Sequence, residues 1–92
     1  MRTNRSSHHA VELTAAPLKR FERNQNRIGL KVQNQEASAI IYYRSGGNGH
    51  ARSFIAISAG QMLTVDINAS TEELWLYSNT NGAVATVVED FE

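Results

Sequence analysis

The sequence predicts an all-β protein: an antiparallel β-sandwich or partly closed barrel of about seven short strands with a flexible N-terminal arm. Apolar and polar residues alternate over 28–33 and again over 62–67, which is the pattern of strands with one buried face. Segments rich in Gly, Asn and Ser separate such stretches at 45–49, 58–60 and 78–82. Short strands divided by regular turns are typical of sandwiches and barrels.

Size and composition limit the chain to one domain. Its 92 residues are divided into an arm at 1–9 and a single β-sandwich domain at 10–92. The sequence has no cysteine, which excludes disulfides and thiolate zinc sites. No apolar stretch approaches the ~20 residues of a membrane span, and the polar N-terminus lacks the apolar core of a signal peptide. We therefore expect synthesis in the cytoplasm and no membrane contact.

Three strands are predicted in the first half of the chain. The first covers 10–15, and Pro17 ends it because proline cannot donate a hydrogen bond to a ladder. Residues 18–27 are polar and charged, so we interpret them as a loop with Leu18 and Phe21 turned inward. Strands at 28–33 and 39–44 follow, and the short polar segment between them suits a hairpin.

Four further strands are predicted in the second half, at 52–57, 62–67, 73–77 and 83–89. The segment 45–49 contains three glycines, which adopt positive φ at no steric cost. The dipeptide Asn81-Gly82 favours a tight primed hairpin between the last two strands.

Several predicted strands are apolar on both faces. Ile40 and Ile41 point to opposite sides of a strand, as do Leu74 and Trp75. Twist or loop packing covers some second faces in monomers. The alternative is a dimer or trimer interface, for which the candidate residues are aromatic: Tyr42, Trp75 and Tyr77.

Charge is segregated along the chain although the net charge is zero. Residues 1–27 carry six basic and two acidic side chains, whereas 62–92 carry six acidic and no basic ones. The two ends either pair within the fold or are simply solvated, or else they contact another subunit or a scaffold. For the second alternative the candidate partner-binding residues are Arg2, Arg5, Arg20 and Arg23.

Arg27 is given a structural role. It stands at the mouth of the strand 28–33, where it is expected to pair with an acid of the last strand such as Glu89. A partly buried pair of that kind fixes strand position more than it adds stability.

No constellation indicates catalysis, a metal site or a cofactor. His8, His9 and His50 lack ligands at recognisable spacing, and no nucleophile motif accompanies them. Glu72 and Glu73 are neighbours on a strand and therefore face opposite ways, unlike the carboxylates of a glycosidase. The chain is not basic overall, which disfavours nucleic acid as a partner. We expect a protein that is not an enzyme.

The order of these segments resembles small β-sandwich virion proteins of tailed bacteriophages. The resemblance covers roughly residues 14–90 and rests on the following stretches: 16–27 with Pro17 and Arg27, Gly29-Leu30-x-Val32-x-Asn34, Ile40 to Tyr43, Ala59-Gly60-Gln61, Leu74 to Tyr77, and Val87-Val88-Glu89. Two departures are evident, because Gln25-Asn26 replaces the usual proline of the Asn-rich segment and residues 1–8 are additional.

The resemblance implies a non-enzymatic structural protein on the virion surface. The first role it implies is capsid decoration (a cement protein), with multivalent contacts to the major capsid protein and an arm that orders on the capsid. A tail or fibre accessory protein is the alternative within the same class.

A carbohydrate-binding module is the alternative from another class. Sandwich modules display coplanar, exposed rings for sugar stacking, and Tyr42, Tyr43, Trp75 and Tyr77 are the candidates. Flanking Leu74 and Leu76 favour burial of Trp75 instead.

Overall fold

The chain folds into two antiparallel sheets of four strands each, packed face to face as a β-sandwich rather than a closed barrel. A computed structural model describes residues 5–46, 54–65 and 71–91, which contain strands and turns and no helix. The strands are β1 (Arg5–Glu12), β2 (Leu18–Phe21), β3 (Arg27–Asn34), β4 (Ile41–Ser45), β5 (Ile55–Ile57), β6 (Met62–Thr64), β7 (Leu74–Ser78) and β8 (Val84–Phe91). The predicted all-β sandwich is confirmed.

Each sheet is built from four strands that are not all consecutive in the chain. The first sheet has the order β1-β8-β3-β6, and the second has the order β2-β7-β4-β5. The longest ladders involve β8, which pairs over its full length with β1 and along most of its length with β3. β7 occupies the corresponding central position in the second sheet, between β2 and β4.

The core lies between the sheets and follows the alternation of the strands. In β3 and β8 every second residue faces inward, so that Leu30, Val32, Ala85 and Val87 are buried while their neighbours reach solvent. The second sheet contributes the inward residues of β4, β5 and β7. The buried apolar cluster comprises Leu13, Leu30, Val32, Ile41, Tyr43, Ile57, Val65, Leu74, Leu76, Ala85 and Val87.

The predicted N-terminal arm is wrong for residues 5–9. These residues begin β1, which extends to Glu12 and pairs with β8 from Arg5↔Phe91 to Glu12↔Val84. Local polarity misled the prediction, because Ser7 and His9 alternate with exposed Ser6 and His8 in a strand of which one face is half-buried. Tertiary pairing thus overrides a weak local pattern. Residues 1–4 lie outside the described part of the chain.

Residues 18–21 form a strand rather than the expected loop. β2 pairs with β7, with a register shift between Lys19 and Phe21. Phe21 packs against the core as expected, but Leu18 is 45% exposed instead of turned inward. The short length and the irregular register explain why no alternation is readable in the sequence.

Two expected hairpins are wrong, because their strands belong to different sheets. β3 and β4 lie in the first and second sheet, and the same is true of β8 and β7. The turn around Gly82, which has φ of 85°, therefore crosses between the sheets instead of closing a primed hairpin. Its Gly82 N–H donates to the Leu13 carbonyl at 2.8 Å, which connects the crossing to the end of β1.

Asn34 stabilises a second connection between the two sheets, at the end of β3. Its buried side-chain amide donates to the carbonyls of Ala39 at 2.8 Å and Ile57 at 2.9 Å. Its Oδ1 accepts from the Glu36 N–H at 2.9 Å, and its backbone N–H donates to the Gln61 carbonyl at 2.9 Å. One side chain therefore satisfies the buried backbone where the chain passes from the first sheet to the second.

We predict that Asn34→Ala lowers the free energy of unfolding by about 2–4 kcal/mol, because two buried carbonyls and one N–H lose their partner. The matched control is Gln35→Ala at the next, exposed position, with an expected change within about 0.5 kcal/mol. Urea denaturation followed by circular dichroism measures both values. Equal stability of the two variants would contradict the role assigned to Asn34.

Candidate interaction surface

The outer face of the second sheet carries a cluster of aromatic side chains. Tyr42 and Arg44 of β4 and Trp75 and Tyr77 of β7 share this face, because their neighbours in each strand are the inward-facing core residues. Phe54, just before β5, joins them. We call these five residues the aromatic face: Tyr42, Arg44, Phe54, Trp75 and Tyr77.

The rings of the aromatic face contact one another in fixed geometry. Tyr42 and Tyr77 are directly opposite in the β4–β7 ladder, and their rings stack with centroids 4.6 Å apart at 14°. Phe54 approaches Tyr77 edge-on, with centroids 5.0 Å apart at 77°. Each of these arrangements is a favoured aromatic geometry. The rings are half-buried against each other and expose the remainder to solvent.

One cationic side chain, that of Arg44, lies among the rings, and a second, that of Lys19, is on the neighbouring strand. The Arg44 guanidinium carbon is 5.4 Å from the Phe54 ring centroid and 5.6 Å from that of Trp75, within cation–π range. Its nitrogens also donate to the Gly46 carbonyl, which fixes the side chain in this position. Lys19 lies opposite Trp75 in the β2–β7 ladder, and a hydrogen bond with Glu22 raises the pKa of its ammonium above its ordinary value.

The structure thus brings together three candidates named from the sequence, Tyr42, Trp75 and Tyr77. Sequence reasoning missed two members, Arg44 and Phe54. The signal for Arg44 was present, since it stands two residues after Tyr42 and therefore on the same face of the strand. Phe54 lies in the strand predicted over 52–57, but the sequence does not show that its ring meets Tyr77, a residue of a strand distant in the chain.

The basic candidates do not form one surface with the aromatic ones. Arg5 begins β1 in the first sheet, and Arg20 lies in β2 with its Nε buried and without a hydrogen-bond partner. Arg23 pairs within the chain, with Nη2 2.7 Å from Glu72 Oε2. Arg2 lies outside the described residues.

Some of the segregated charges are paired with each other within the chain. Besides the Arg23–Glu72 pair, Lys19 Nζ lies 3.6 Å from Glu73 Oε2. Both contacts join a basic residue of the N-terminal segment to an acidic residue of the C-terminal segment. Of the two explanations offered for the charge pattern, pairing within the chain accounts for these residues.

Arg27 and Glu89 form the buried ion pair expected from the sequence. Arg27 is 1% exposed and Glu89 is 6% exposed, and Arg27 Nη1 donates to Glu89 Oε2 at 2.7 Å. Arg27 Nη2 also donates to the carbonyls of Glu22 and Glu72. Glu22 follows β2 and Glu72 precedes β7, and both of these strands belong to the second sheet. His9 Nε2 lies 2.8 Å from the other Glu89 oxygen, although the two atoms are not aligned for a hydrogen bond.

A polar groove opens beside this end of the sandwich. Its volume is about 560 Å³, and its lining residues are Arg5, Ser6, Ser7, Asn24, Asn26 and Phe91. Within residues 5–46, 54–65 and 71–91, no group of three or more His, Asp and Glu side chains is placed to hold a metal ion. In the same residues, no helix has the length and apolar character of a membrane span.

Comparison with known proteins identifies a similar fold but no family. No protein-family model and no curated protein matches the chain. A chain from Bacillus endospore appendages, described as a novel family of disulfide-linked pili, has a similar solved structure with a TM-score of 0.57 and 12% identity. The alignment covers 97% of this chain and 86% of the appendage chain. At this identity the similarity concerns the fold alone.

We predict that Arg27→Met lowers the free energy of unfolding by about 3–5 kcal/mol, because it leaves the buried Glu89 carboxylate without its partner. The double variant Arg27→Met/Glu89→Leu should cost clearly less than the two single variants added together, since no buried charge then remains unpaired. Thermal and urea unfolding measure the three values.

The matched control is the exposed pair, for which we expect Arg23→Met to cost no more than about 1 kcal/mol. Strict additivity of Arg27→Met and Glu89→Leu would contradict the coupling of the buried pair.

Proposed function

We propose that this protein is a non-enzymatic structural subunit that docks through its aromatic face onto a larger, repeating protein assembly. Within that class we propose capsid decoration of a tailed bacteriophage, on the virion surface and with the major capsid protein as partner. The sequence resemblance supports the specific role. The observation that carries the general proposal is the aromatic face, a set of large rings and an arginine on the outside of a sheet.

The composition of the aromatic face suits a protein partner. Aromatic residues and arginine are enriched at the centres of protein–protein interfaces, and tryptophan, tyrosine and arginine dominate their energetic hot spots. Tyr42, Tyr77 and Phe54 hold one another in place before any partner binds. Less side-chain entropy is then lost on docking, which raises affinity for a given contact area.

Attachment to a lattice requires only modest affinity per copy. When neighbouring copies are linked, each further contact becomes effectively intramolecular, so many weak contacts add up to stable coverage. A chain of 92 residues without cysteine, which folds around its own apolar core, fits such a role.

We predict that Tyr77→Ala weakens binding to virions at least about thirtyfold, because Tyr77 contacts both Tyr42 and Phe54 at the centre of the aromatic face. Co-sedimentation of purified protein with particles that lack it measures the affinity, and circular dichroism verifies the fold. The matched control is Met62→Ala, which removes an exposed apolar side chain from the first sheet. Equal binding of the two variants would show that the aromatic face is not the docking site.

A filament subunit is the second candidate, and the structural similarity to a Bacillus endospore appendage favours it. The appendages are described as disulfide-linked pili, whereas this chain has no cysteine. A filament of this protein would therefore be held by non-covalent contacts. Negative-stain electron microscopy of the concentrated protein separates the two candidates, since a decoration protein alone forms no fibres.

Sugar binding is less well supported by the geometry. A stacking site needs free ring faces, but Tyr42 and Tyr77 cover each other and Arg44 lies over Trp75. The chain contains one tryptophan, Trp75, so its fluorescence reports on this surface. We predict that its emission does not change on addition of oligosaccharides; a saturable shift would favour a carbohydrate-binding module.

A further inference from the structure

The free edge of β1 differs from the other three sheet edges. β6 and β5 contain three residues each, and β2 contains four with a register shift. Short or irregular edges of this kind resist pairing with other chains. β1 contains eight residues, pairs with β8 without a register shift, and has neither proline nor lysine. In the described part of the chain no strand lies beyond it.

The register shows which backbone groups of β1 face outward. Leu13 N–H donates to the Ala83 carbonyl at 2.7 Å, so position 13 directs its backbone toward β8. Backbone direction alternates along an antiparallel strand, and positions 11, 9, 7 and 5 therefore also bond to β8. The even positions direct their N–H and C=O groups to the free edge: Ser6, His8, Ala10 and Glu12.

We propose that β1 pairs antiparallel with β1 of a second copy of this chain, about a two-fold axis at His9. In this register Ser6 lies opposite Glu12 of the second copy and His8 lies opposite Ala10. The four outward-facing residues of one copy then pair only with the same four residues of the other copy. The N–H and the C=O of each residue have a hydrogen-bond partner. A two-fold axis at any other residue of β1 would leave at least one of these four residues without a partner in β1 of the second copy.

Charge along the strand agrees with the antiparallel arrangement. β1 begins with Arg5 and ends with Glu12. Antiparallel pairing brings the basic end of each strand to the acidic end of the other, whereas parallel pairing would bring like charges together. The interface is isologous, the commonest type in soluble dimers.

The dimer has a consequence for docking, although the pairing itself does not rest on the proposed function. The first sheets of the two copies join into one continuous sheet, and the two-fold axis is perpendicular to this sheet. Both second sheets then lie on the same side, so both aromatic faces point in the same direction. A dimer of this kind binds a repeating surface bivalently.

The test compares His8→Pro with His8→Ala in the full-length protein. Proline removes the outward N–H of position 8 but leaves the ladder to β8 intact, since proline is tolerated at an edge when its nitrogen faces away from the sheet. Alanine removes the same imidazole and keeps the N–H. Light scattering after size-exclusion chromatography should give a dimer for wild type and His8→Ala. For His8→Pro the dimer dissociation constant should rise on the order of tenfold or more.

Ala10→Lys provides a second variant if His8→Pro does not fold. A lysine on an edge strand opposes pairing without removing a backbone group, and we expect it to give a monomer with wild-type circular dichroism. A wild-type monomer at high concentration would overturn the proposal. So would a dimer unchanged in His8→Pro and Ala10→Lys, or one lost equally in His8→Ala and His8→Pro. Loss of the dimer in Tyr77→Ala but not in Ala10→Lys would assign the dimer contact to the aromatic face instead.

Discussion

The buried Arg27–Glu89 ion pair is the constraint around which the two sheets are arranged. Arg27 is 1% exposed, so its charge and N–H donors must be compensated inside the protein, and Glu89 and two backbone carbonyls are among the groups that do so. The carboxylate comes from β8 of the first sheet. The carbonyls come from residues just after β2 and just before β7 of the second sheet. One side chain therefore sets the relative position of both sheets at this end of the sandwich.

At the other end of the sandwich, neutral hydrogen bonds hold the connections between the two sheets. These contacts do not use the side chains of the aromatic face. Asn34 satisfies the backbone where β3 leaves the first sheet, and Ser78 Oγ donates to the Ile40 carbonyl at 2.9 Å at the end of β7. The apolar cluster between the sheets is complete without Trp75 or Tyr77. Large rings on the outside of a sandwich whose apolar cluster is complete without them fit the proposal that this face binds another molecule.

The sequence predicted what alternation and charge determine locally, and it failed where distant pairing decides. The strands β3, β7 and β8 were located to within two residues at each end, and the Arg27–Glu89 pair followed from the position of an arginine at a strand mouth. The turn at Gly82 was recognised, but a turn motif does not state whether the next strand joins the same sheet. β1 was misjudged at 5–9 because its polar residues form a strand only through β8. On the aromatic face, Phe54 was missed although it lies in the strand predicted over 52–57, because its contact with Tyr77 depends on how distant strands assemble in the sheet.

The most direct test of the account is an electron cryomicroscopy reconstruction of the protein bound in its assembly. We expect the outer face of the second sheet to meet the partner. Density of the partner should then lie against Trp75 and Tyr77, with the outer face of the first sheet in solvent. A reconstruction in which the partner contacts the first sheet and the aromatic face points to solvent would contradict this expectation.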